Sequence, residues 1–228
     1  MNSPVTADQQ TAGKTIAQEV TTVLVNDIVT GVLPQGSKIS EPDLSRRYQV
    51  GRGPLREAIL RLEGMGLVVR AAHIGARVVT LTPADLSDIF SLREALEGMA
   101  ARLAAESMSQ HELDDLEQLL DKHADYLHRH DGQEYIEQQG EYDFHYRVIQ
   151  GSDNQRLIQS LCNELYHLVR LYRHSSGRKG RPEQALDEHR MILKALQDRD
   201  GELAEMLMRR HIARSRKAIE QALGSGLA

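Results

Sequence analysis

Residues 31–68 of the chain, GVLPQGSKISEPDLSRRYQVGRGPLREAILRLEGMGLV, contain the pattern that governs the architecture of its front part. Ser40 is an N-cap candidate for a short helix that should end near Tyr48. Residues 50–53 form a tight turn, and Pro54 opens a longer helix with a regular apolar stripe. A short helix, a tight turn and a longer helix are the parts of a helix-turn-helix motif.

The segments on either side of this motif complete a winged helix-turn-helix domain. Residues 15–31 have the apolar spacing of an amphipathic helix. Two short apolar runs flank residues 71–76, AAHIGA, where Gly75 can supply the positive φ of a hairpin tip. We expect this domain to span residues 14–81, after a disordered tail over residues 1–13.

The rest of the chain has helical periodicity throughout. Thr82 is an N-cap candidate, with Pro83 at the first helical position. Helices are predicted at about 83–106, 110–129, 132–150, 155–175, 183–198 and 201–222. The expected fold class is mainly α: an N-terminal winged helix-turn-helix plus a C-terminal antiparallel all-helical bundle over residues 82–223.

Composition limits the function classes. The 228 residues are 40% apolar and 27% charged, as in a soluble protein with a packed core. No apolar run approaches the roughly 20 residues of a spanning helix, so no membrane partner is expected. The N-terminus lacks the pattern of a secretory signal, and the single cysteine, Cys162, is compatible with a reducing cytoplasm.

The charge is unevenly distributed. The net charge is −5, but residues 1–80 hold nine Lys or Arg and seven Asp or Glu, a balance of +2. Residues 81–228 therefore have a balance of −7. A weakly basic N-terminal part and an acidic C-terminal part are typical of a nucleic-acid-binding domain joined to a domain that does not bind nucleic acid.

Candidate DNA contacts lie at the start of the second helix of the motif. Arg52, Gly53 and Arg56 occupy its first turn, which reaches base edges in such motifs. The guanidinium of an arginine can donate two hydrogen bonds to one guanine, and glycine, which has no side chain, lets the backbone approach the phosphates. Arg46 is a phosphate-contact candidate, and His73 at the hairpin tip could enter the minor groove. Paired arginines are also common on solvated surfaces, but the helix–helix–hairpin context favours DNA.

The quoted run resembles the N-terminal domain of GntR-type regulators over nearly forty residues. The matching features are the turn at VLPQG, the glutamate and leucine of EPDL, the segment RGPLREAI and the ending MGLV. The resemblance implies that Arg52 and Arg56 are the main DNA contacts, with the wing around His73 assisting. It also implies a homodimer on a palindromic operator. Gly51 departs from the serine or threonine that the family often has, so a hydroxyl contact to phosphate would be missing.

Three histidines of the helical part lie at apolar positions. His145 follows Glu141 by four residues, on the same helix face. His189 and His211 lie on apolar stripes, formed by Leu186, Ile192, Leu193 and Leu196 for the first and by Leu203 and Leu207 for the second. Three inward imidazoles and one carboxylate from three helices would form a divalent-metal site, for zinc, nickel or a similar ion. The alternative is that these histidines are hydrogen-bonded core residues.

The back half resembles the FCD ligand-binding domain of the FadR-type subgroup of GntR regulators. The match covers most of residues 83–220 and includes SLREALEGMAARLAA, EYDFHYRVIQGSDNQRL, DEHRMILKAL and DGELAEMLMRRHI. It implies that the metal ligands are Glu141, His145, His189 and His211. The family usually has aspartate where Glu141 stands. Asp143 is nearer in chemistry but points to another side of the helix.

Arg93 is the second unusual residue of the helical part. It falls within the apolar stripe of Leu86, Ile89, Leu96, Ala100 and Leu103. An inward arginine needs an anion, which could be Glu97 one turn away or a carboxylate of an effector. The family carries an arginine at this position, which implies a carboxylate-binding role. A metal and an arginine in one cavity suggest a small organic acid.

The function expected from these features is an effector-responsive, DNA-binding transcription regulator, a repressor by the family's usual behaviour. One alternative is a metal-dependent enzyme that activates water at the histidine site. The sequence offers no nucleophile motif or assigned general base for it, and an enzyme would have no use for a DNA-reading domain. Another alternative is an architectural DNA-binding protein without a ligand, which the inward Arg93 and histidines argue against.

Overall fold

The computed structural model describes residues 15–71, 75–129, 144–175 and 182–224. The predicted tail over residues 1–13, His73 at the wing tip, and both candidate carboxylates, Glu141 and Asp143, lie outside the described residues. The chain divides into two compact units on either side of the bond between Leu81 and Thr82. No helix within the described ranges is long and apolar enough to cross a lipid bilayer.

The first unit has three helices and a hairpin in its described part: α1 (Ile16–Val29), α2 (Glu41–Tyr48), α3 (Arg52–Gly64), β1 (Val68–Ala71) and β2 (Gly75–Val78). A capping box between Thr15 and Gln18 starts α1. Gly31, with φ of 77°, follows its end. The core of this unit lies between α1 and α3, where Leu24 and Leu55 are fully buried.

Two details of this unit differ from the sequence-based expectation. Ser40 is the N-cap of α2, but its side chain makes no capping hydrogen bond. The sequence predicted only the turn at VLPQG before α2, yet the end of this segment pairs with the wing: Lys38 bridges Arg77, and the Ile39 N–H donates to the Ala76 carbonyl at 2.8 Å. A pairing segment this short has too few residues for an alternating pattern to be recognised.

The second unit is helical in its described part: α4 (Pro83–Ser107), α5 (Gln110–Arg129), α6 (Phe144–Gly151), α7 (Gln155–Ile158), a π-helical segment (Gln159–Leu165), α8 (Tyr166–Ser175), α9 (Pro182–Gln197) and α10 (Gly201–Gly224). Thr82 caps α4 in a capping box with Asp85. The predicted fold class is confirmed. The helix expected over 155–175 instead contains a π-helical stretch in its middle.

Small residues let neighbouring helices pack closely against α4. Ala100, Ala101, Ala104 and Ala105 are completely buried. A Cβ added at Gly98 would lie 2.7 Å from the side chain of Arg209, so only glycine leaves this arginine its present position. The long α4–α10 contact supports one side of the site described next, because Arg93 and Glu97 lie on α4 and His211 lies on α10.

Candidate metal centre and DNA-reading helix

The three predicted histidine ligands converge on one point. His145 lies on α6, His189 on α9 and His211 on α10, and each is at most 3% exposed. Their Nε2 atoms form a triangle with sides of 3.1, 3.2 and 3.3 Å. Three helices therefore bring together three imidazole nitrogens that are separated by 44 and 22 positions along the chain.

Two glutamates fix the orientation of two of these rings. His145 Nδ1 lies 2.7 Å from Glu97 Oε2, and His211 Nδ1 lies 2.7 Å from Glu188 Oε2. A carboxylate can only accept, so Nδ1 is the donor in both pairs. In the neutral ring, Nε2 then carries a lone pair that is directed at the shared centre.

Burial favours the neutral imidazole of His189 and of His211, which is the form that binds a metal ion. Burial, followed by the charges of His211 and His145, lowers the pKa of His189 well below its usual value. Burial lowers the pKa of His211 to about 4, although its hydrogen bond with Glu188 acts in the opposite direction. Burial would raise the pKa of Glu97, but Arg93 and then His145 outweigh it and hold that pKa below the usual range.

The donor set fits a divalent metal ion. The Nε2 atoms of His145 and His211 are 3.1 Å apart, and their lone pairs repel each other unless a proton or a cation lies between them. In a tetrahedral site with metal–nitrogen bonds of about 2.0 Å, the nitrogens are about 3.3 Å apart. The observed triangle comes close to that spacing, so His145, His189 and His211 could hold such an ion. Glu141 stays a prediction as the fourth ligand.

Neighbouring side chains support the histidines. The Phe144 ring stacks on His189, with ring centroids 4.2 Å apart and planes inclined by 17°. The apolar face predicted for His211 was wrong in part: Leu203 is 37% exposed, and the buried neighbours are Ala204, Met208 and Ile212. The helical stripe is therefore shifted by one residue from the one that the leucines suggested.

Arg93 and Glu97 form the buried ion pair that the sequence left as one alternative. Arg93 is 3% exposed, and its Nε donates to Glu97 Oε1 at 2.5 Å. The other oxygen of this carboxylate binds His145, so Glu97 links the arginine to the histidine site. Arg93 Nη1 is buried and has no hydrogen-bond partner among the described residues. The internal salt bridge therefore leaves one nitrogen of Arg93 available to a second anion.

Sequence reasoning missed Glu188. This residue is 9% exposed and links His211 to Arg214, whose Nη1 donates to Glu188 Oε1 at 2.8 Å. It precedes His189 directly, so a search for residues on the same helix face as a ligand passes over it. The useful signal would have been the general need of a metal-bound histidine for a carboxylate or carbonyl partner.

A small cavity adjoins the histidine site. It is lined by Arg93, Glu97 and His145, by apolar side chains of α6, α8 and the π-helical segment, and by polar residues of α8. Its volume is about 10 Å³, roughly what one water molecule needs. A larger ligand would therefore have to displace part of the lining.

The predicted DNA contacts lie on the exposed surface of the first unit. Arg52, Gly53 and Arg56 are all exposed in the first turns of α3. Arg56 Nε donates to Glu41 Oε2 at 2.7 Å, and Arg46 pairs with Asp43 at 2.5 Å. Both ion pairs are exposed to solvent and therefore weak, so a phosphate or a base could replace the carboxylate.

Two glycines leave the backbone at the start of α3 without side chains that would cover it. Gly51 is its N-cap, with a φ of −66°, and provides no capping side chain. A Cβ added at Gly53 would meet no atom within 4 Å. Neither a positive φ nor internal packing requires glycine at these two positions. The open space and the uncapped N–H groups suit the close approach of a phosphate.

Comparison with known proteins supports the family resemblance of both the N-terminal and the C-terminal part of the chain. The family model "FCD domain" matches residues 88–214, more than half of the chain, and "Bacterial regulatory proteins, gntR family" matches residues 16–78. The chain belongs to the GntR family of bacterial transcriptional regulators. The predicted family and its FCD domain are thus confirmed, and this regulator is a DNA-binding protein rather than an enzyme.

Relatives of this GntR regulator include named repressors. It is 32% identical over 213 residues to the HTH-type transcriptional repressor GlaR of Escherichia coli (strain K12), covering 88% of this chain and 94% of GlaR. It is 29% identical over 201 residues to the probable D-xylose utilization operon transcriptional repressor of Paenarthrobacter nicotinovorans, covering 87% and 86%. The solved structure of E. coli McbR/YncC shares its fold, with a TM-score of 0.74 at 20% identity over 92% of this chain and 99% of that one.

Proposed function

We propose that this GntR regulator is a cytoplasmic repressor that binds a palindromic operator as a homodimer and releases it when a small organic acid binds at a metal centre. Residues 14–81 read the DNA in this proposal, and residues 82–223 bind the metal and the acid. The observation that carries it is the convergence of three buried imidazole nitrogens beside a buried arginine with an available nitrogen.

His145, His189 and His211 would hold the metal, with Glu141 as a fourth ligand. Once bound, zinc, nickel or a similar divalent ion supplies a Lewis acid for a carboxylate oxygen of the effector. Glu97 and Glu188 keep the Nδ1 atoms of two ligands protonated, so that Nε2 is the coordinating atom.

Arg93 binds the carboxylate of the effector in this proposal. Its Nε stays on Glu97, while Nη1 donates to the acid. The same pairing positions the guanidinium, because Glu97 is itself fixed by His145. Charge-assisted hydrogen bonds in a buried site are among the strongest that a protein can form with a carboxylate.

Arg52 and Arg56 bind guanine edges in the major groove, and Gly53 lets the start of α3 approach the phosphates. Arg46 binds phosphate, and His73 reaches the minor groove from the wing. The exposed pairs Arg56–Glu41 and Arg46–Asp43 break on DNA binding, at little cost. The acid lowers operator affinity by favouring a bundle conformation in which two DNA-binding domains no longer match the operator.

A thermal-shift screen tests the sensing half. Small carboxylic acids are added to metal-loaded protein and to protein treated with a chelator, and the metal content is measured in parallel. We expect one bound ion per chain and an acid-dependent rise of Tm in the loaded protein alone. His189→Ala should abolish both, while His128→Ala, at an exposed histidine of α5, should change neither. Substoichiometric metal in the wild type would overturn the proposal.

A further inference from the structure

The face of α3 that carries the predicted DNA contacts also carries a large apolar side chain. Leu60 is 61% exposed, the highest value among the large apolar side chains in the described part of the chain. It follows Arg56 by four residues and Gly53 by seven, so the three lie on one side of the helix. Single exposed leucines are common on protein surfaces. What distinguishes Leu60 is its position on this side of α3.

The core of the first unit uses the other side of α3. Leu55, Ile59 and Leu62 are at most 2% exposed and form the buried side of this helix. Because Leu60 is not among them, replacing it with a smaller residue would leave no cavity in the core. Burial within the unit therefore does not account for a leucine at this position.

The charged neighbours of Leu60 on α3 have partners within the unit. Arg61 Nη2 donates to Glu57 Oε1 at 2.8 Å. Arg70 donates to Glu63 Oε1 through Nε at 3.0 Å and through Nη2 at 2.6 Å. Each pair places opposite charges together beside Leu60. The surface that this residue offers to a partner is therefore apolar rather than charged.

The major groove of DNA presents one apolar substituent to such a side chain. The edges of the bases carry hydrogen-bond donors and acceptors there, and thymine adds its C5-methyl group. Apolar side chains recognise thymine through contact with this methyl group. A leucine that reaches the bases would therefore favour thymine over the other three bases.

The spacing along α3 brings Leu60 within reach of the bases. In homeodomains, another helix-turn-helix class, the base-contacting positions of the recognition helix are spaced i, i+3, i+4 and i+7. Gly53, Arg56, Glu57 and Leu60 have the same spacing. Leu60 lies about 6 Å beyond Arg56 along the helix axis, and base pairs are stacked about 3.4 Å apart. The two side chains therefore reach positions about two base pairs apart.

We propose that Leu60 determines sequence specificity by contacting the C5-methyl group of a thymine about two base pairs from the guanine bound by Arg56. This inference rests on the proposed function, which places the start of α3 in the major groove. It adds an apolar base contact to the polar contacts of Arg52 and Arg56, and it assigns the type of base that the third turn of the helix reads.

The test removes the methyl group alone. An operator is selected from a random-sequence library, and each thymine is replaced in turn by uracil at the equivalent positions of both half-sites. Binding of the full chain is measured by fluorescence anisotropy. We expect one position at which uracil weakens wild-type binding by about fourfold for each half-site, the effect of burying one methyl group.

Variants then assign this position to Leu60. Leu60→Ala should bind the thymine and uracil operators equally, and it should unfold in urea as the wild type does, because the side chain is exposed. The position should lie about two base pairs from the guanine at which Arg56→Ala loses discrimination. The matched control is Ile16→Ala, at a 60% exposed aliphatic residue of α1, which should keep the preference for thymine.

The outcomes separate this inference from the function on which it rests. If no thymine of the operator shows a methyl effect with the wild type, the inference is wrong. If Leu60→Ala weakens binding to the thymine and uracil operators by the same factor, Leu60 contacts protein rather than a base, and the inference is also wrong. If Arg56→Ala keeps its discrimination of guanine, the placement of α3 in the proposed function fails instead.

Discussion

Replacing Glu188 with glutamine isolates what one carboxylate contributes to the candidate metal centre. Glu188 accepts from His211 Nδ1 at 2.7 Å and from Arg214 Nη1 at 2.8 Å. Glutamine has nearly the same shape and can still accept a hydrogen bond from His211. It loses the negative charge, however, so the Nε2 of His211 becomes a weaker donor to a metal.

The expected loss of metal affinity is moderate. Removing such a partner from a metal-bound histidine weakens binding by about 10–100-fold, or ~1.4–2.7 kcal/mol. The metal-free protein should be affected less, because the Arg214 side chain is 58% exposed and water can replace its partner. We expect its free energy of unfolding to change by less than about 1 kcal/mol.

The assay is a zinc titration in competition with a chromophoric chelator of known affinity. Wild type, Glu188→Gln and the control Glu183→Gln are compared, because Glu183 is exposed on the same helix, α9. Circular dichroism checks that all three fold. An affinity of Glu188→Gln within twofold of the wild type would show that this carboxylate does not tune the site.

Three further predictions concern the DNA contacts, the site packing and the pH dependence. Gly53→Ala should fold at least as stably as the wild type but bind operator DNA several-fold more weakly. Arg56→Ala should lose about 1–3 kcal/mol of discrimination between operator and unrelated DNA. Normal operator binding by both variants in fluorescence anisotropy would contradict these two predictions. Phe144→Ala should lower the free energy of unfolding in urea by about 3–5 kcal/mol, because it empties a buried site against His189; a loss below about 1 kcal/mol would contradict it. Burial, followed by the charge of Arg170, lowers the pKa of His167 to about 4. Between pH 6.5 and 4 the unfolded chain therefore binds more protons than the folded protein, and the free energy of unfolding falls as the pH drops. His167→Gln should flatten this part of the plot of unfolding free energy against pH, and an unchanged slope would contradict the prediction.

The parts of the fold that sequence predicted well depend on local signals. Thr82 and Pro83 mark the start of α4. The turn predicted over residues 50–53 put the start of α3 at Pro54, two residues after its actual start at Arg52. The π-helical segment could not be predicted in this way. Its residues have ordinary helical periodicity, and that periodicity does not distinguish π hydrogen bonding from α hydrogen bonding over so few residues.

The histidine ligands of the candidate site were predictable from the sequence, but most of the hydrogen bonds that orient them were not. Burial of His145, His189 and His211 follows from helical spacing, but spacing gives no distance between residues on different helices. The sequence suggested the Arg93–Glu97 pair because the two are one turn apart. It could not indicate that Glu97 also binds His145, or that Glu188 binds His211, because those contacts cross between helices.

The most direct test follows the release of DNA. An operator fragment is first selected from a random-sequence library, labelled, and bound by the metal-loaded protein. The acid that gives the largest rise of Tm in the thermal-shift screen is then added while fluorescence anisotropy is recorded. We expect the acid to release the fragment from the loaded wild type, and to leave it bound to chelator-treated protein and to His189→Ala. Equal release from all three, or no release from the loaded wild type, would contradict a metal-centred acid sensor.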